Sequence, residues 1–126
     1  MSDISNEKVI SILKKLEKIT GFDYDVAKEM YEEYRSKKYS KVKSARLVWE
    51  KVMDDYYWLL YEAEYTLNYK ATMDRFFNII SNITGFDYET IQKKYHNLEN
   101  KFTNDKLRKI WNIYMGKYFQ QLVKKR

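Results

Sequence analysis

The residues able to do covalent or acid–base chemistry in this chain are few in kind. His96 is the one histidine and there is no cysteine. Thiol nucleophiles, disulfides and Cys-ligated zinc or iron–sulfur sites are therefore excluded, and a single imidazole is too little for a histidine metal site or a Ser-His-Asp triad. Carboxylate pairs offer no more, because Asp54 and Asp55 are neighbours and on a helix would point about 100° apart, a poor geometry for joint proton transfer. No catalytic residue, metal ligand, cofactor or small-molecule substrate is expected. The chain reads as a protein that is not an enzyme.

What the chain has in quantity is cationic nitrogen. Its net charge of +6 is unevenly spread: residues 93–126 hold ten Lys or Arg against Glu99 and Asp105, whereas residues 1–92 hold 14 against 16 acids. One cluster, Arg35, Lys37, Lys38, Lys41, Lys43 and Arg46, contains no acid. Its counterpart later in the chain is Lys101, Lys106, Arg108 and Lys109, and the last three residues are Lys124, Lys125 and Arg126. Side chains gathered in this way neutralise phosphates. Helix N-termini expected near Ser40, and near Thr103 or Asn104, would add backbone donors and the positive end of the helix dipole. Together these residues make the expected nucleic-acid footprint; the alternative is a solvated basic face.

The elements that must position them repeat. Ile-Thr-Gly-Phe-Asp-Tyr occurs at 19–24 and again at 83–88. Tyr31 and Lys37 match Tyr95 and Lys101 at the same offset of 64; the offset then becomes 62, and Arg46, Trp49, Met53, Tyr56 and Leu60 match Arg108, Trp111, Met115, Tyr118 and Leu122. The pattern reads as a tandem duplication of a three-helix unit, with repeats over about 5–66 and 70–126, folded as one all-α domain. The length of 126 residues and a hydrophobic share of 44% supply one core. In the first repeat Val9, Ile12, Leu13, Leu16 and Ile19 form one helical face, Gly21 is a C-cap and Asp23 the next N-cap. The second helix shows Ala27, Tyr31 and Tyr34 to the core. The third carries Val42, Ala45, Trp49, Met53, Tyr56, Leu60, Ala63 and Leu67, with ends expected near Ser40 and Thr72. Alternation of period 2 and hairpin dipeptides are missing, so no strands are expected.

The stretch Ile79-Ile80-Ser81-Asn82-Ile83-Thr84-Gly85-Phe86-Asp87-Tyr88-Glu89-Thr90-Ile91-Gln92-Lys93-Lys94-Tyr95 resembles a helix-turn-helix motif. It is also similar to the last part of Myb/SANT-like DNA-binding domains, over about 20 residues of each repeat. The resemblance implies DNA as partner, with Gln92, Lys93, His96, Asn97 and Asn100 on the reading helix of the second repeat. The first repeat presents Asp25, Glu29, Glu32 and Glu33 instead, a surface that repels phosphate. Glu17 and Lys94 depart from the motif, which favours a small and an apolar residue at those places.

Thirteen tyrosines and three tryptophans exceed what a small core needs. Tyr57, Trp58, Tyr61, Tyr65 and Tyr69 wrap the rest of the third helix and make it apolar almost all round, so it is either central in the bundle or covered by a partner; Tyr57, Trp58, Tyr61 and Tyr65 are expected to lie in an oligomer interface. Base stacking on them is set aside because that segment is acidic. Gly116, inside the last helix, is expected to admit the backbone of another helix, within the protein or across the same interface. A homo-oligomer follows. No stretch reaches the roughly 18 apolar residues of a membrane span, and Met1–Ser11 does not read as a signal peptide, so an intracellular place, cytoplasmic or virion-associated, is expected. The functional expectation is an oligomeric nucleic-acid-binding protein, either an architectural or virion-type nucleoprotein or a small regulator. The alternative is a protein–protein interaction or capsid-type self-assembly module without nucleic acid.

Overall fold

The first helix, α1 (Asn6–Thr20), begins on Ser5, whose Oγ accepts from the Lys8 N–H at 3.1 Å, and stops at Gly21. Gly21 takes φ 77°, and its N–H donates to the Glu17 carbonyl at 2.7 Å. The second helix, α2 (Tyr24–Ser36), follows at once because Asp23 Oδ1 accepts from the Asp25 and Val26 N–H groups. The same corner joins α4 (Tyr69–Thr84) to α5 (Tyr88–His96): Gly85 takes φ 80°, its N–H donates to Ser81 at 2.8 Å, and Asp87 caps through Thr90. The threonine before each glycine has a part as well. Thr20 Oγ1 donates to the Leu16 carbonyl and accepts from the Phe22 N–H, and Thr84 Oγ1 does the same with Ile80 and Phe86. Burial and the Asp74 carboxylate, which accepts from the Tyr88 hydroxyl at 2.7 Å, push the Tyr88 phenol up to about 12. That bond fastens α5 to α4.

The computed structural model describes residues 3–98 and 103–125. Two longer helices, α3 (Lys41–Glu64) and α6 (Thr103–Lys124), complete an all-α chain; among the described residues there is no strand, and no helix is long and apolar enough to cross a membrane. Asn68 caps α4, so the boundary expected at Thr72 falls earlier. Thr72 is instead buried, and its Oγ1 accepts from the Thr66 N–H at 3.0 Å. Leu98 and the corner before α6 border residues 99–102. Lys101 and Asn100 of the expected footprint lie outside the described residues, as does Arg126.

The chain packs as two compact units, one formed by Met1–Asp54 with Tyr118–Arg126 and the other by Asp55–Lys117. This division cuts through α3 and α6 rather than falling near residues 66–70. In the first unit Val9, Ile12, Leu13 and Leu16 of α1 meet Ala27 and Tyr31 of α2 and Ala45, Val48, Trp49 and Val52 of α3 in the core. Trp49 packs on two residues of α6, with ring centroids 6.0 Å from Tyr118 and 5.8 Å from Phe119. In the second unit Trp111 packs at 6.0 Å on Tyr56 and 6.1 Å on Tyr57, the positions that match Tyr118 and Phe119. The interplanar angles agree as well, at 50° and 52° in the first unit and 53° and 52° in the second.

The expected stripe on α3 holds for Ala45, Trp49 and Met53 and then changes phase. Tyr57 is 0% exposed, whereas Tyr56 is half-buried and Leu67, past the helix end, is 98% exposed. From Asp55 onward the helix serves a different core, and Tyr57 fills it between Phe76, at 5.2 Å, and Trp111. The expectation that Tyr57 lies in an oligomer interface is thereby corrected. A Cβ built at Gly116 meets nothing within 4 Å. Among the described residues of this chain no helix backbone needs its bareness.

These two classes of glycine predict opposite outcomes. Gly85→Ala, forced to positive φ, is expected to lower unfolding free energy by about 1–2 kcal/mol. Gly116→Ala is expected to raise it by up to about 1 kcal/mol, the helix-propensity difference. Urea unfolding followed by circular dichroism measures both, and a destabilised Gly116→Ala would mean that the position serves a contact this chain does not contain.

Candidate nucleic-acid interface

Helical spacing on α1 places Lys8, Ser11, Lys15 and Lys18 on one stripe, turned away from the buried Val9, Leu13 and Leu16. The last turns of α6 run beside it, held by Trp49 against Tyr118 and Phe119. Between them lies a groove of about 400 Å³, lined by Lys8, Ser11, Ile12, Lys14, Lys15, Lys18, Tyr118, Leu122 and Lys125. Its wall is cationic and its floor apolar. None of its lining residues is acidic. Lys8 Nζ donates to the Lys125 carbonyl, which ties the residue after α6 to α1. The nearby Glu17 carboxylate is committed elsewhere, accepting from the Tyr24 N–H at 2.8 Å. Lys14 and Lys15 stand four and three residues before Lys18, spacings at which like charges cost a helix about 0.2–0.5 kcal/mol per pair.

This groove was not among the residues that sequence reasoning selected, apart from Lys125. Counted along the chain, the four lysines of α1 stand against Asp3, Glu7 and Glu17, so the segment looks nearly neutral. The readable signal was the 3, 4, 3 spacing of Lys8, Ser11, Lys15 and Lys18.

The first basic cluster does come together at the corner between α2 and α3, but most of its cations have local partners. Arg35 Nη1 donates to the Tyr39 carbonyl at 2.6 Å, Arg46 pairs with Glu50 at 3.4 Å, Lys43 Nζ lies 4.4 Å from the Tyr39 ring centroid and Lys37 Nζ 5.7 Å from that of Tyr34. Lys38 is exposed at φ 68°, and Lys41 is half-buried. The expected backbone donors at the start of α3 are taken. Asp3 accepts from the Lys41 and Val42 N–H groups at 2.8 Å each, and Ser40 Oγ accepts from Lys43 at 3.1 Å. Phosphate therefore finds no free helix terminus near Ser40. The cap also puts an acid at a corner whose own sequence has none.

Burial alone would push the Asp3 carboxyl up, but the hydrogen bonds from Lys41, Val42 and Ile4 and the charge of Arg35 outweigh it and hold the group below the usual carboxylate value.

In the second unit the expected residues divide. Gln92 and Lys93 lie on α5, with Gln92 half-buried and Lys93 exposed. Asn97 is exposed and falls just after the helix as its C-cap, its N–H donating to the Lys93 carbonyl at 3.1 Å. His96 ends α5 against the Tyr95 ring at 5.5 Å. Lys106 Nζ lies 4.6 Å from the Tyr95 centroid. Arg108 lies 5.3 Å from the Trp58 centroid and, with Lys109, Asn112, Ile113 and Asp105, lines a shallow groove of about 440 Å³. Lys124 and Lys125 are exposed at the end of α6. Of the expected interface aromatics, Trp58 and Tyr65 are 41% and 50% exposed and Tyr61 is half-buried. Among the described residues no group of three or more His, Asp or Glu is placed to hold a metal ion. Comparison with protein-family models, with curated proteins and with solved structures finds no match.

The Asp3 cap gives a pH-dependent prediction. A carboxyl lowered on folding contributes stability above its unfolded value of about 3.9, and that contribution is lost as pH falls through the folded value. Asp3→Ala is expected to cost about 1 kcal/mol at pH 7, typical of removing a helix cap. The gap to wild type in urea midpoint should close at acid pH. A gap that stays constant down to pH 2 would show that the carboxylate is not its source.

Proposed function

We propose that this protein is a non-enzymatic nucleic-acid-binding protein whose main phosphate contact is the lysine groove between α1 and the last turns of α6. The observation that carries the reading is the convergence of Lys8, Lys14, Lys15, Lys18 and Lys125 in a groove with no acidic lining residue. Such a groove follows a charged backbone and reads no sequence, because ammonium groups neutralise phosphates without selecting bases. The corner of Arg35, Lys37, Lys38, Lys41, Lys43 and Arg46 is a secondary contact in the same unit, weakened by its local partners. An architectural role fits this arrangement better than a regulator that reads base edges, since the groove offers ammonium groups and Gln92 is half-buried. DNA is the partner we favour, within an intracellular or virion-associated setting. The matched ring pairs of Trp49 and Trp111 support reading the chain as a duplicated three-helix unit.

A second reading, self-assembly without nucleic acid, is favoured by Leu59, Tyr65 and Leu67, which are 65%, 50% and 98% exposed. Light scattering across a concentration series separates the two, since this reading requires a stable oligomer in the absence of nucleic acid.

The groove is tested by replacing Lys8, Lys15, Lys18 and Lys125 with Gln and measuring binding of a labelled duplex by fluorescence anisotropy at several salt concentrations. Binding is expected to weaken, and the slope of log K against log salt to become shallower by about 0.9 for each phosphate that the variant no longer neutralises. Replacing Arg35, Lys37, Lys38 and Lys41 should do less. Unchanged affinity and slope in the groove variant would contradict the proposal.

A further inference from the structure

Of the three tryptophans, Trp49 and Trp111 are 0% exposed, whereas Trp58 keeps 41% of its surface in solvent. Trp58 lies on α3 in the second unit, where Tyr57 and Tyr61 meet its ring at 78° and 72°. Among the described residues no aromatic ring stacks parallel on it. The Arg108 guanidinium, from α6, sits over that ring at 5.3 Å and also lines the groove that holds Lys109 and Asn112. The sequence segment around Trp58 is acidic, which argued against stacking. The fold changes that local chemistry by bringing a cation from another helix onto the ring.

An exposed indole with a guanidinium over it and a lysine and an amide beside it has the components of a stacking platform. Any nucleobase offers a flat π-face to such a ring, and base–aromatic stacking tolerates every sequence. Arg108 and Lys109 are placed to meet the adjoining phosphates, and Asn112 offers both a donor and an acceptor. Asp105 is the one acid lining the groove. Bases in a duplex already stack on one another and do not open to an exposed side chain. We infer that the second unit takes an unpaired base of single-stranded nucleic acid on Trp58, with Arg108 and Lys109 on its backbone. This inference rests on the nucleic-acid reading above and adds to it a preference for single strands.

Trp49 and Trp111 are buried away from any bound strand, so the emission change that Trp58→Phe abolishes is the signal of Trp58. The test titrates wild-type protein with a fifteen-nucleotide oligothymidylate and with a duplex of the same length, following tryptophan emission and the anisotropy of labelled strands in parallel. Emission is expected to fall with the single strand, and the change to vanish in Trp58→Phe, which removes the reporter. Trp58→Ala is expected to weaken single-strand binding about tenfold, within the range alanine substitution gives for one stacked base, and to change duplex binding less than twofold. Circular dichroism melts check that the variant folds, and the wild-type emission decides the matter if it does not.

Binding seen by anisotropy with Trp58 emission unmoved would overturn the inference and leave the groove reading standing. So would equal weakening of single strand and duplex, or an emission change that follows protein concentration alone, as self-association through Trp58 would produce. No binding of either strand at low salt would overturn both.

Discussion

The packing of Trp49 on Tyr118 and Phe119 is the interaction on which the rest depends. It joins the middle of the chain to its last helical turns, and burial of rings of this size supplies several kcal/mol of the drive to keep them together. Without it α6 would lose the anchor that, with the bond from Lys8 to the Lys125 carbonyl, keeps it beside α1. The groove would then lose Tyr118 and Leu122 from its floor and Lys125 from its wall. The matching contact of Trp111 with Tyr56 and Tyr57 organises the second unit in the same way and forces Tyr57, rather than Tyr56, into its core. Both Arg108 and Trp58 are positioned next to that cluster.

Charge is distributed over this frame with a clear division of labour. At the α2–α3 corner cations are neutralised or stacked locally, and Asp3 and Ser40 satisfy the helix terminus that would otherwise attract an anion. On α1 the lysines line one wall of a groove with no acidic residue in its lining. The first arrangement contributes to stability, and the second costs some. A linear count of charge ranks the corner first because its sequence contains no acid. The three-dimensional arrangement reverses that order, since Glu7 and Glu17 lie close to the lysines in sequence but do not line the groove, and Asp3 is distant from the corner in sequence but caps it.

What was legible in the sequence was whatever local chemistry decides. The shared Ile-Thr-Gly-Phe-Asp-Tyr corners formed as read, because glycine at positive φ and aspartate at the N-cap act within a few residues of themselves. The all-α class and the inward faces of α1 and α2 followed from spacing for the same reason. The phase change on α3 was not legible: a helix that serves two cores looks from sequence like one apolar all round, and only the partners of each half choose between Tyr56 and Tyr57. The Asp3 cap and the Arg108–Trp58 pair join residues too distant in sequence for any spacing rule to find.

The most direct test of the lysine groove is an amide-resolved NMR titration of the full chain with a fifteen-base-pair DNA duplex at low salt. Shifts are expected to concentrate over Lys8–Lys18 and Tyr118–Lys125, two segments far apart in sequence that the fold brings together at one groove. Binding that leaves both segments unmoved while shifting α5 or the α2–α3 corner would contradict it.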